Sequence, residues 1–318
     1  MTPVQLCWKF PSRSRESGEK IESCYVGITG EHIRGINNTG VITVSKNNTV
    51  PSDQEITKLD IKRVLDHAQS ITLPMERRIL HVLSQEFRVD DHGGIKDPQG
   101  MIGHRLETKV HLVTSELTKE KNLNTCLERA GIDVIDFVLE PLAASYAILD
   151  QNEKDLGVAL IDIGGGTTDI IVYSGGGVRQ TAVIPLGGKN ITSDIAHGVQ
   201  TTLEQAEMLK CQYGIAKEAL ASPDEKITVQ GLNGEESRTI TQKELASFIE
   251  PRMEEILMLA KSDIRKSDHP GVFTFGIKLT GGGSLLNNVV DIANDIFHQP
   301  VKIGSPHLSG GISENLNK

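Results

Sequence analysis

The sequence predicts an α/β protein with more than one domain, and three observations carry that expectation. Strand-like and helix-like segments alternate along most of the 318 residues, the pattern of α/β architecture. The stretch LIDIGGGTTDIIVY sets two apolar runs, residues 158–163 and 170–173, on either side of a glycine-rich link, which reads as two buried strands joined by a tight turn. A second glycine cluster, LTGGGSLLNN, follows a strand and opens an apolar helical pattern. Composition fits: 38% hydrophobic and 24% charged residues are ordinary for a globular chain long enough for two or more domains. A net charge of −9 argues against non-specific nucleic-acid binding. No apolar run reaches the ~18 residues of a spanning helix, and the basic start MTPVQLCWKFPSRSRESGEK lacks the apolar centre of a secretory signal. The chain is therefore expected to be cytosolic. Cys7, Cys24, Cys126 and Cys211 lie far apart with no C-x-x-C pair, which predicts reduced, mostly buried thiols.

Taken in order, residues 1–20 are polar and aperiodic and predict a frayed arm. SCYVGITGEHI reads as a strand, a turn and a resumed strand, and GVITV as a further strand after a turn at Asn37-Asn38-Thr39-Gly40. ITKLDIKRVLDHAQSI has helical spacing with Thr57 as N-cap. RRILHVLSQEFRVD and GHRLETKVHLVTS read as strands flanking a loop over residues 90–103, which makes this first region a small α+β unit. A helix follows over residues 117–130, a strand over 133–139, and a helix in EPLAASYAIL. After the glycine hairpin, residues 192–213 and 241–265 read as helices, with a small sheet excursion around KITVQGL between them. GIKLT is a strand, GGGS a turn, residues 285–297 a helix, and VKIG the last legible segment before a turn-rich tail.

The glycines admit three chemistries. Gly164, Gly165 and Gly166 form either a plain β-turn, a dinucleotide fingerprint, or an anion-binding hairpin. The fingerprint needs a helix after the glycines, whereas a β-rich run follows, so it is excluded; no Walker loop occurs. In the anion-binding reading, successive backbone N–H groups cradle an anion. Thr167 and Thr168 add hydroxyl donors, and Asp162 holds a hydrated divalent cation, since Mg²⁺ keeps several waters and takes one or two carboxylates. Gly281, Gly282, Gly283 and Ser284 form either a strand-to-helix turn capped by Ser284 or a second anion site at a helix N-terminus. Gly187 and Gly188 precede Thr192, a helix cap.

These motifs resemble the actin-like ATPase superfamily: DIGGGTTD is similar to its second phosphate motif, LTGGGS to its adenosine motif, and LEPLAASYAIL to its first connecting helix. Within that superfamily the chain resembles the FtsA cell-division family. The likeness rests on YVGITGEHI, ILHVLSQEFRVDDHGGIKDPQGMIGHRLETKVHLVT, EKDLGVALIDIGGGTTDIIVY, AEMLKCQYG, IEPRMEEI and KLTGGGSLLNNV, and spans about residues 21–304. It implies an actin-like (ribonuclease H-like) two-lobed ATPase fold with an inserted small α+β subdomain. Residues 21–114 would be that insert and 115–150 the rest of the first large subdomain. Residues 151–200 with 266–306 would be the second large subdomain, 201–265 its small companion, and 307–318 a tail.

The resemblance also implies chemistry. ATP would lie between the large subdomains, with Asp162 ordering Mg²⁺ through water, Gly164 to Thr168 on the phosphates, Gly187 and Gly188 flanking them, and Gly281 to Ser284 at the adenosine. Glu207 and Lys210 match an A-E-x-x-K pattern beside the ribose and base; otherwise they read as a solvated ion pair at i,i+3. Glu140 matches a residue that positions the attacking water in chaperone relatives, and also reads as a helix-start carboxylate favoured by the dipole. The implied role is polymerising at the division site, recruiting the tubulin-like FtsZ ring with other division proteins, and holding it on the cytoplasmic side of the inner membrane. Arg252 is the candidate for meeting an acidic partner peptide, or else a solvated helix charge. A pilus-assembly ATPase and a small-molecule kinase share the fold and are the rival readings. Two departures shape the expectation. An Asp-x-Gly-Thr hairpin is not found, VGITG being the nearest segment, so the first lobe is expected to be incomplete, with weak nucleotide binding and at most weak turnover. No basic amphipathic membrane helix is found either, which suggests a chain shortened at both ends.

Overall fold

The structure is a computed structural model that describes residues 21–44, 55–231, 237–267 and 273–306. The arm expected over residues 1–20 and the tail over 307–318 lie outside them, as does Cys7. The chain divides into two units, residues 1–143 and 144–318.

In the first unit, strand β1 (Ser23–Ile28) is followed by β2 (Arg34–Thr43), helix α1 (Lys58–Gln69), β3 (Arg77–Val89), β4 (His92–Ile95) and β5 (Arg105–Glu116). Strands β2, β5, β3 and β4 form an antiparallel sheet in that order. Alternation sets its faces: Leu106, Val110 and Leu112 are fully buried and pack with Val64 and Ala68 of α1. Helix α1 starts as expected. Thr57 accepts the Asp60 N–H at 3.3 Å while Asp60 Oδ2 accepts the Thr57 N–H at 3.1 Å, a reciprocal capping box.

Helix α2 (Leu117–Arg129) then crosses to β6 (Asp133–Leu139), which pairs parallel with β1 from Ser23↔Asp133 to Ile28↔Leu139. The two sheets of this unit are tied where the Leu139 N–H donates to His81 Nε2 of β3 at 3.0 Å.

Helix α3 (Glu140–Ile148) carries the chain into the second unit, where α4 (Gln151–Leu156) precedes β7 (Val158–Ile163), β8 (Thr168–Ser174) and β9 (Gly177–Ile184). Helices α5 (Gly188–Gly198) and α6 (Leu203–Tyr213) follow, then the hairpin of β10 (Lys226–Val229) and β11 (Arg238–Thr241), and α7 (Gln242–Arg265). Strand β12 (Ile277–Thr280), a 3₁₀ turn (Gly282–Leu285), α8 (Val289–Phe297) and β13 (Val301–Ile303) complete it. The sheet order is β13-β12-β7-β8-β9, with β7, β12 and β13 parallel and β8 and β9 antiparallel to their neighbours. Strands β7 and β8 are apolar over residues 158–161 and 170–173 because nearly every residue in them is buried, with Asp162, Thr168 and Asp169 gathered at the hairpin end. Ile161, Ile163, Ile170 and Val172 pack with Ile191 and Ile195 of α5, Met253 and Leu257 of α7, and Ile292 of α8. Among the described residues no helix is long and apolar enough to cross a membrane.

Six expectations are corrected. Asn37-Asn38-Thr39-Gly40 is not a turn but the middle of β2, which pairs without interruption from Arg34↔Thr114 to Thr43↔Arg105. Gly40 is needed for close approach: a Cβ there would meet Val64 O and would lie 2.8 Å from the Ala68 backbone N. The loop expected over 90–103 contains β4. The helix expected over 192–213 is two helices, because Gln200 adopts φ 46° and Thr202 caps α6 afresh. Thr192 is not a cap, since α5 begins at Gly188, and the last helix starts at Val289, the glycines before it forming the 3₁₀ turn. Cys211 is exposed and Cys24 and Cys126 are half-buried, rather than mostly buried.

Candidate functional site

The glycine hairpin and the glycine turn meet. Thr280 of β12 pairs with Asp162 of β7, so both parallel strands end at the same place. Gly281 leaves β12 at φ 82°, and a Cβ there would run into Asp162 Oδ1 and lie 2.6 Å from Ile163 O. A Cβ at Gly283 would come within 3.0 Å of the same carbonyl. Ser284 is buried and donates its hydroxyl to Gly281 O at 2.7 Å, so it closes the turn rather than capping a helix.

The hairpin's orientation follows from its bonds to α5. Gly164 N–H donates to Thr167 O at 2.9 Å and closes the loop. Gly164 O accepts the Gly188 N–H at 2.9 Å, and Gly165 O accepts the Lys189 N–H at 2.8 Å. In a trans peptide unit the C=O and N–H point opposite ways. Two carbonyls turned toward α5 therefore turn the N–H groups of Gly165 and Gly166 away from it. Those two amides and that of Thr167 have no acceptor among the described residues. This is a nest of backbone donors on an exposed loop. The α5 N-terminus abuts it because Gly187 has no side chain: a Cβ there would sit 2.6 Å from Gly164 O.

Both threonine hydroxyls are engaged. Thr168 donates to Leu186 O at 2.8 Å and Thr167 to Asp169 Oδ2 at 3.0 Å. Asp169 pairs directly with Asp162, which puts two carboxylates side by side at the hairpin's base. Burial pushes the Asp162 carboxyl above the usual range, so its charge calls for a counterion. Among the described residues no group of three or more His, Cys, Asp or Glu gathers to hold a metal.

Lys210 joins α6 to this cradle. Its Nζ donates to Gly188 O at 3.0 Å, to Thr192 Oγ1 at 2.9 Å and to Glu207 Oε2 at 2.8 Å. The Thr192 hydroxyl also lies against Glu207 Oε2. Burial works against the Glu207 charge, but the bonds from Lys210 and Thr192 outweigh it and hold the carboxyl below its usual range. The i,i+3 pair of the sequence is thus anchored to the hairpin's neighbour rather than merely solvated.

Glu140 belongs to the other unit, where it opens α3 and lays its side chain against Gly27 of β1; a Cβ there would lie 3.0 Å from Glu140 Cγ. Arg252 on α7 is held within its own unit: Nε reaches Asp194 Oδ2 of α5 at 2.6 Å, a second nitrogen Asp194 Oδ1 at 3.1 Å, and the third Glu255. Sequence reasoning missed Asp169, Thr192 as a linker, and Lys189. Asp169 carried a signal, since it closes the DIGGGTTD motif, whereas the other two act through partners distant in the chain.

A five-stranded sheet in which the first strand is central, the next two continue from it as an antiparallel meander on one side and the last two lie parallel to it on the other, with a glycine hairpin after the first strand, defines the actin-like, ribonuclease H-like class. Solved structures agree in fold. PilM of a PilM–PilN type IV pilus biogenesis complex superposes with a TM-score of 0.64 at 16% identity, covering 95% of this chain and 74% of that one. MreB5 of Spiroplasma citri bound to ADP gives 0.51 at 23% identity, covering 59% and 60%. The family model "Cell division protein FtsA" matches residues 159–317, and "SHS2 domain inserted in FTSA" matches residues 30–114. The FtsA of Pseudomonas aeruginosa is 40% identical over 298 residues, covering 94% of this chain and 70% of that protein. The chain belongs to the FtsA family of cell-division proteins.

Proposed function

We propose that this chain binds ATP with Mg²⁺ on its second unit and acts at the division site as a filament-forming link between the FtsZ ring and the cytoplasmic face of the inner membrane. The observation that carries the nucleotide reading is the convergence of the two glycine clusters on the ends of β7 and β12, with the amides of Gly165 and Gly166 turned away from α5. The residues fit the ligand. The free amides suit phosphate oxygens, and the side-chain-free surface at Gly281 to Gly283 suits a flat nucleoside, with Ser284 and Thr168 bracing the two turns. Asp162, with Asp169 beside it, suits a cation that keeps its waters. Bound ATP would supply a hydrolysable phosphoanhydride. The chain's own residues bind and orient it: Glu207 and Lys210 on the ribose side, and Gly187 and Gly188 behind the phosphates.

Residues 21–114 serve as the inserted subdomain, 115–150 as the rest of the first large subdomain, 151–200 with 266–306 as the second, and 201–265 as the small companion that meets FtsZ near Arg252. Two measurements test the proposal. Calorimetric titration with Mg²⁺-ATP should show saturable binding, and sedimentation with FtsZ filaments should carry the protein into the pellet. No heat of binding would remove the nucleotide role, and a protein left in the supernatant would remove the partner role.

A further inference from the structure

We infer that Lys189 is the side-chain cation that makes this site select a polyphosphate over a monophosphate or bare nucleoside, an inference that rests on the nucleotide reading above. Lys189 is the second residue of α5 and is bound by its own N–H to Gly165 O at 2.8 Å. Its stem runs along the hairpin, with Cε 3.7 Å and Cγ 4.0 Å from where a Gly165 side chain would begin. Gly165 therefore has two uses: it frees the backbone to turn, and it leaves the lane in which the lysine lies.

The charge balance points the same way. The hairpin's base carries Asp162 and Asp169, so an anion approaching the free amides meets two carboxylates. Lys210, the neighbouring cation, is already bound by Glu207, Thr192 and the Gly188 carbonyl. Lys189 is exposed and makes no ion pair or side-chain hydrogen bond among the described residues. A flexible, exposed ammonium group whose stem lies along the hairpin that carries those amides is suited to phosphate as a mobile point charge. It would act on the outer phosphates, where charge is greatest, and leave the nucleoside end to the glycine turn.

The test compares the full chain with Lys189→Ala and Lys189→Arg by calorimetry, using Mg²⁺-ATP, inorganic tripolyphosphate and AMP at two salt concentrations. Circular dichroism checks that each variant is folded. For Lys189→Ala, affinity for ATP and tripolyphosphate should fall about tenfold, the size of one charge-assisted contact, with AMP nearly unchanged and a shallower salt dependence. Lys189→Arg should recover most of the loss. An unchanged ATP-to-AMP affinity ratio in Lys189→Ala overturns the inference while leaving the nucleotide site intact. A wild-type chain that binds none of the three ligands removes the site and the lysine's role together.

Discussion

Gly281 shows how much one missing side chain decides. At φ 82° it occupies backbone space that L-residues rarely adopt, and a Cβ would collide with the Asp162 carboxylate. Gly281→Ala should cost about 1–3 kcal/mol in strain and abolish ATP binding, read by urea unfolding and calorimetry on the same preparation. His111 makes a different prediction. It is buried in β5 beside Asn37 Oδ1 at 2.7 Å, and burial lowers its pKa to about 4. Between the usual histidine pKa near 6.5 and that value, the unfolded chain takes up a proton that the folded chain refuses. Stability is therefore full above pH ~6.5 and falls as pH drops toward 4, by up to about 3 kcal/mol from this residue. His111→Gln should flatten that slope in unfolding curves at pH 7, 6 and 5. At this scale the sequence is legible where backbone geometry demands a residue type, as at Gly164 to Gly166 and Gly281. It is silent where a role comes from a distant neighbour, as with Thr192 between Gly188 and Glu207.

Elements are positioned by a few polar ties as well as by apolar packing. Lys278 of β12 meets Glu153 of α4 at 2.6 Å, and both side chains are largely buried. Removing one partner strands the other charge, so Lys278→Met should lower stability by about 3–5 kcal/mol, and the double change with Glu153→Gln should recover part of it. Thermal unfolding of both variants checks the coupling. Arg252 pins α7 to α5 through Asp194, so under the proposed function an acidic partner at Arg252 would have to displace that carboxylate. Asp194→Asn should accordingly tighten binding to FtsZ in sedimentation assays, whereas Arg252→Ala should weaken it. Element positions were largely readable: the Thr57 cap, β6 and the α7 span fall where the pattern puts them. Asn37 to Gly40 misled because turn-forming residues were there to admit a helix, a contact with residues about 25 positions further along.

At the scale of the molecule, the clusters around α1 and its sheet lie in the first unit and the large cluster around β7 lies in the second. Chemical unfolding followed at several probes should therefore not coincide, and Gly281→Ala should move only the transition belonging to residues 144–318. The fold class was legible because strand alternation and the glycine hairpin are local. How the carbonyls of 164 and 165 are used was not, since it depends on α5 folding back against them. That same docking makes the second unit mechanically continuous. Lys210 grips the carbonyl of Gly188 while the amide of Gly188 grips Gly164, so α6 and the loop are two bonds apart with no slack between them. Cys211, the next residue along and open to solvent, donates its thiol to Glu207 Oε1 at 3.6 Å, so a dye attached there would report on the Glu207–Lys210 pair as well as on stilling of the loop.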